Sequence, residues 1–227
     1  IPFDPPCPFN EGIQVPGLLY DDCWGSLVSL NYATPGAAIP FTFDFFGETY
    51  ENCQIGANGL ISFFKEGIGQ TYPVSVNGQC SFSQDNFGPF PNAQRYKNCI
   101  MVPYYDINFG IGGQVYFQVI GEYPCRKMIL SYYQVPMFDC NERLATHMAV
   151  LYESSNAIEF YLQNKPHCGT PWGVGIDGGL ATLGMQNHDL QICMVDTLNN
   201  ARWEVQNKAF RIRAASELEK TYAVYKR

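Results

Sequence analysis

The stretch ATHMAVLYESSNAIEFYLQ, residues 145–163, reads as two strands joined by a turn. In its second half Ile158, Phe160 and Leu162 alternate with Glu159, Tyr161 and Gln163. Side chains on a strand point to opposite faces in turn, so one side belongs to a core and the other to water. The polar run Glu153-Ser154-Ser155-Asn156 reverses the chain and makes the pair a hairpin. Cys140 lies 15 residues before Ser155 and Cys168 lies 13 after it. Antiparallel pairing brings both to the same end of the hairpin, which predicts a Cys140–Cys168 disulfide.

The same text extends in both directions. From Gly25 onward, short apolar runs are cut by Gly, Pro and Asn, the mark of strands and turns. Gln114–Ile120 alternates as well as the hairpin does, with Val115, Phe117 and Val119 inward after the turn Gly110–Gly113. Further strands are expected at Ser26–Asn31, Phe41–Phe45, Thr49–Ile55, Leu60–Phe64, Ile100–Tyr105, Lys127–Tyr133, Ala181–Gln186, Gln191–Val195 and Ala209–Arg213. The expected fold is all-β: an antiparallel β-sandwich of about a dozen strands, stapled by several disulfides. Two long loops, 67–98 and 169–179, decorate it. One domain over 20–213 is flanked by an extended arm, 1–19, and a short helical linker, 214–227, that begins AASELEK.

Composition narrows the function. The 14 basic residues are scattered and the formal charge is −7, which argues against nucleic acid and against an anionic membrane surface. No apolar run is long enough for membrane insertion. The opening IPFDPPCPFNEG has neither a basic nor an apolar signal region, so any signal peptide is expected to be already gone. Nine cysteines are spread so widely that the nearest two, Cys125 and Cys140, stand 15 apart. Without a C-x-x-C pair, that spacing reads as a disulfide framework in an oxidising compartment, hence an extracellular or cell-surface location. The odd count leaves at least one thiol over.

The segment FTFDFFGETYENCQIGANGLISF, Phe41 to Phe63, resembles the opening of nidogen-type extracellular domains. Phe41, Phe43 and Phe45 share a face, Gly47 permits the first turn, and Asn58-Gly59 supplies the positive φ of a tight hairpin. Ile100–Ile107 and Gly113–Phe117 match the family's next two segments. Pro124–Arg126, Val135–Cys140, Val150–Glu159, Asn164–Cys168 and Gly184–Asn187 are similar to a variant in large secreted proteins of Bacteroidota. That variant stands beside gliding-motility or type IX secretion sorting modules. The resemblance covers roughly 20 to 213 and implies adhesion or surface display. Asp44 departs from it, since relatives often carry cysteine there, so their disulfide pairing does not transfer.

Motifs for chemistry are sparse. His147, His167 and His188 lack the spacing of metal ligands, and no nucleophile elbow, P-loop or H-E-x-x-H occurs. Gly173–Gly178 fits G-x-G-x-x-G, but a further turn and strand follow where a nucleotide site needs a helix. Among the carboxylates, Glu153 and Glu159 flank one turn and form the candidate pair for a carbohydrate-processing enzyme, with Asp106 and Asp177 also considered. The strand alternation favours a solvated face instead. Asp106, Asn108 and Asp177 lie near glycine turns and are the candidate ligands for calcium, a cation that takes oxygen donors. Tyr72, Tyr96 and Trp172, set among small polar residues, are the candidate ligand-binding aromatics. The expectation is a non-catalytic adhesion or surface-interaction module whose partner is an extracellular protein or glycan. Its alternatives are a carbohydrate-binding or carbohydrate-processing domain and a structural spacer beside a sorting domain.

Overall fold

The computed structural model describes residues 1–18, 24–30, 41–69, 89–93, 96–138, 140–168, 180–214 and 222–225. These residues form strands and no helix. In chain order the strands are β1 (Ile13–Gln14), β2 (Val28–Ser29), β3 (Phe43–Phe45), β4 (Glu48–Tyr50), β5 (Asn52–Gly56) and β6 (Leu60–Lys65). β7 (Ile68–Gly69), β8 (Cys99–Tyr104), β9 (Gln114–Ile120), β10 (Lys127–Met137), β11 (Cys140–Tyr152) and β12 (Ile158–Lys165) follow. The last are β13 (Leu180–Gln186), β14 (Ile192–Met194), β15 (Ala201–Arg202), β16 (Val205–Ala214) and β17 (Tyr222–Tyr225).

Two large antiparallel sheets hold most of them. One has seven strands in the order β1-β9-β10-β11-β12-β16-β17; the other has eight, with β14-β13-β8-β6-β5-β2 as its main path. Their inner faces share one core, to which Phe117, Leu130, Leu151, Phe160 and Ile212 come from the first sheet. Ile55, Phe63, Val102, Leu183 and Met185 come from the second. The β3–β4 ribbon adds Phe43 and Phe45, fully buried as the alternation requires.

The decisive hairpin forms as read. β11 pairs with β12 from Leu151↔Ile158 to Thr146↔Asn164, with a register shift after His147↔Leu162. Beyond that shift Lys165 lies wholly buried. Cys140 and Cys168 are disulfide-bonded, their Cα atoms 5.8 Å apart. Several disulfides were expected, but Cys7, Cys53, Cys99, Cys125 and Cys193 are free thiols, and Cys23 and Cys80 lie outside the described residues. Cys53 and Cys99 are fully buried in apolar clusters, where a cysteine packs as a small hydrophobe.

Two local readings change. Of the Asn58-Gly59 pair, Gly59 takes a positive φ of +81°, while Asn58 braces the turn by accepting the Ile107 amide at 2.9 Å. A Cβ on Gly59 would stand 1.9 Å from the Pro103 carbonyl oxygen, so no larger residue fits. At the C-terminus, Tyr222–Tyr225 is a strand on β16 where a helical linker was expected. Its two Tyr and one Val suit a sheet more than a helix.

Candidate functional site

The outer face of the seven-stranded sheet is not wet. The arm crosses it, and Phe9, Ile129, Met148, Val150, Tyr161 and Ala209 form a second apolar cluster, joined by Phe3 and Cys7. Phe3 packs on Phe9, centroids 6.4 Å apart, and edge-on to Tyr161 at 6.1 Å. Glu159 and Tyr161, expected in solvent, are therefore 0% and 5% exposed. The missed signal is the arm's apolar side chains, which need an apolar surface to cover.

Register explains what meets under the arm. Lys127 stands opposite Tyr152, and Glu159 stands between Val150 and Arg211 in the cross-strand ladder. Lys127, Tyr152, Glu159, Tyr161, Arg211 and Arg213 share the outer face and line a cavity of about 630 Å³ whose far wall is the arm. At its floor the Glu159 carboxylate accepts the hydroxyls of Tyr152 and Tyr161, each at 2.6 Å. Arg211 donates to the other carboxylate oxygen through Nε at 2.6 Å and through Nη2. Burial pushes the Glu159 pKa up, but these hydrogen bonds together outweigh it and leave the carboxyl below its ordinary value.

Glu153 is placed elsewhere, in the turn. Its Oε2 takes the Arg126 Nε at 2.9 Å and the Arg126 amide at 3.2 Å, and its Oε1 takes Nη2. Hydrogen bonding to Arg126 lowers its pKa also. The two carboxylates thus occupy separate networks, each satisfied by its own arginine.

A third cluster lies inside the sandwich. The Tyr105 hydroxyl meets His147 Nε2 at 3.1 Å, and Tyr132 stacks on the His147 ring at 4.9 Å. The Lys165 ammonium donates to the Trp203 carbonyl at 2.9 Å and lies over the Tyr105 and Trp203 rings, 5.3 and 4.6 Å from their centroids. Burial pulls Lys165 down to about 7. Burial, helped by the charge of Lys165, pulls His147 down to about 3. Nothing in the local sequence announces a buried lysine; the register shift beside it does.

The other expected site residues scatter. Tyr96 packs on the outer face of the eight-stranded sheet, 6.0 Å from Trp24 and 5.3 Å from Tyr104. Tyr72, Trp172 and Asp177 lie outside the described residues. Asp106 is buried, while Asn108 donates to Asn141 at 3.0 Å. Among the described residues no three His, Cys, Asp or Glu side chains converge as metal ligands. His167 faces Glu204 at 3.2 Å and His188 faces its neighbour Asp189 at 3.3 Å, both at the surface. Among the described residues no helix is long and apolar enough to cross a membrane.

Paired antiparallel sheets around an aromatic core, with the F-x-F-F-G ribbon and the braced Asn58-Gly59 turn, define a β-sandwich domain. A family model described as NIDO related matches residues 26–222, and the chain belongs to that family. No curated protein and no solved structure matches the chain.

Proposed function

We propose that this domain is a non-catalytic interaction module of an extracellular cell-surface protein, serving adhesion to a protein or glycan. The observation that carries this reading is the state of Glu153 and Glu159. A glycosidase pair needs one carboxyl whose pKa is raised so that it keeps a proton to donate. Both carboxyls shift downward instead, each held ionised against an arginine. The cavity under the arm offers what a binding module needs, a concave surface of aromatic rings with a few placed charges.

The Cys140–Cys168 bond supports an oxidising, extracellular setting. The ordered segments from Pro124 to Asn187 support the finer placement among Bacteroidota surface proteins that neighbour type IX sorting modules. A chromogenic glycoside panel together with a glycan and matrix-protein array tests the proposal. The expected result is no turnover and at least one saturable partner. Turnover that disappears in Glu159→Gln would overturn it in favour of an enzyme, and silence in both assays would overturn it in favour of a spacer.

A further inference from the structure

We infer that the open edge of β16, with the cavity beside it, docks an extended protein segment that adds to the seven-stranded sheet as a further antiparallel strand. The inference rests on the interaction-module reading and gives that module a protein partner, on a surface apart from the cavity under the arm. β12 pairs with β16 in one register from Lys165↔Val205 to Ile158↔Ile212. On the other side of β16, β17 pairs only with Arg211 to Ala214. Among the described residues nothing pairs with the free side of Val205–Phe210, and that stretch makes no backbone hydrogen bond beyond its pairing with β12. An antiparallel strand aims its amides and carbonyls at its two neighbours in turn, so part of this backbone is left as a template for another strand. A strand laid there would continue the line that β17 begins and run antiparallel to β16 as β17 does.

The cavity selects what kind of segment fits. Leu198, Trp203, Val205 and Phe210, each partly buried against the core, line a space of about 420 Å³ along this edge. The Trp203 indole is already fixed: its Nε1 donates to the Ala181 carbonyl at 3.1 Å, and the Lys165 ammonium lies over its ring. Lys165 is not part of the cavity wall, so Trp203 offers there only the apolar surface that the ammonium leaves uncovered. Such a space takes a large apolar side chain from an incoming strand, the division in which backbone pairing gives affinity and a pocket gives specificity. Charge adds a second preference. Of the charged side chains at the rim, Asp196 and Glu204 already have partners, Glu204 through His167 at 3.2 Å. Lys208 is exposed and joins no ion pair among the described residues, so it favours an acidic side chain opposite. The same lysine, next to Asn207 with its positive φ of +48°, disfavours the edge of a second copy, which would set lysine near lysine.

The test is titration calorimetry of the full chain with a capped octapeptide that alternates valine and threonine around a central leucine and carries one aspartate. Saturable binding is expected, at least about tenfold weaker when alternate amides of the peptide are N-methylated or when the leucine becomes threonine. Val205→Asp should lose about tenfold and Lys208→Glu about threefold, the latter regained by a peptide with lysine in place of the aspartate. Glu122→Gln, in the turn between β9 and β10, should change nothing. Lys208 is exposed, so its variant keeps the thermal midpoint and carries the test even where Val205→Asp fails to fold. Amide hydrogen exchange should slow across 205–210 on binding and stay unchanged at Val28–Ser29 of β2. No saturable binding, equal affinity of the N-methylated peptide, indifference to Lys208→Glu, unchanged exchange across 205–210, or displacement of the peptide by a neutral disaccharide would each overturn the assignment. A concentration-dependent dimer of the unliganded chain that Lys208→Glu alters would overturn it in favour of self-pairing. An array partner whose binding ignores both variants would sink this edge and leave the module reading standing; glycoside turnover would sink the module reading itself.

Discussion

Replacing Lys165 with methionine should stabilise the protein at neutral pH, and the gain should fade as the pH rises. Lys165 is 0% exposed, and its ammonium keeps one carbonyl, that of Trp203, and two aromatic faces in place of water. Burial draws its pKa from 10.5 down to about 7, against a weaker opposing pull from Glu204. At ~1.4 kcal/mol for each pKa unit, holding the charged form in the fold costs about 5 kcal/mol. Below about pH 7 both folded and unfolded chains keep the proton, and the cost is felt in full. Between about 7 and 10.5 the unfolded chain holds a proton that the folded chain has released, so stability climbs with pH. Between about pH 7 and about pH 9.5 the gain is about 3 kcal/mol. Methionine keeps the length, removes the charge and strands the Trp203 carbonyl, at about 1–3 kcal/mol. The variant should therefore be about 2–4 kcal/mol more stable near pH 6 and about equal to the parent near pH 9.5. Urea unfolding of both proteins across that range measures it. His147, brought down to about 3, stays neutral in the folded chain across this range, and its unfolded titration near 6.5 is common to both proteins and cancels in the difference. The thiols change both proteins alike, so the difference between the two profiles isolates Lys165. Parallel profiles would refute the reasoning.

The Arg126–Glu153 pair has side chains only 3% and 7% exposed, so Arg126→Ala should cost about 3–5 kcal/mol by leaving a buried carboxylate alone. A loss under about 1 kcal/mol in chemical denaturation would contradict that burial. Arg126 holds the Glu153 carboxyl below its ordinary value, so the contribution is present above the unfolded pKa and fades as the solution is acidified. The stability deficit of Glu153→Gln should narrow in acid accordingly. Thiol titration in denaturant should count at least the five free cysteines and at most seven of the nine, since Cys140 and Cys168 are bonded. Without denaturant, exposed Cys125 should react first and buried Cys53 and Cys99 last; a count of nine removes the disulfide. Gly59→Ala should destabilise by more than about 3 kcal/mol, because its Cβ would overlap the Pro103 carbonyl oxygen at 1.9 Å, and an unchanged thermal midpoint would contradict this turn.

What local text encodes, the sequence disclosed well. Gln114–Ile120 forms a strand with the bounds its alternation implies, and the hairpin count paired Cys140 with Cys168. Phe41, Phe43 and Phe45 are buried together because period-two spacing is a property of the chain alone. What depends on contacts between distant segments was hidden. The pairings β1 with β9, β13 with β15, and β16 with β17 involve strands of two to four residues on at least one side, too short to show a period. Lys165 lies past Gln163, where the alternation of its strand ends, and nothing marks it as buried until the shift opposite Thr146 and His147 is known.

The site was hidden for a related reason. Parity alone sets Lys127, Tyr152, Glu159, Arg211 and Arg213 on outward positions, but only the order β10-β11-β12-β16 makes them neighbours. Reading that face as wet followed from the assumption that a half-polar strand has one solvated side. The arm breaks the assumption. Among the described residues no backbone hydrogen bond ties residues 1–12 to the sheet, so Phe3, Phe9 and the Cys7–Gln118 contact hold them there. A cover attached by side chains leaves gaps where those side chains are absent, and the run from Pro2 to Pro6 bridges one of them above Glu159. Once the arm shuts out water, an unpaired carboxylate at the edge of that apolar cluster would be strongly destabilising. Two tyrosine hydroxyls and an arginine on Glu159 are therefore what the covered face requires, and their convergence turns a patch of sheet into a walled cavity with cations at its rim.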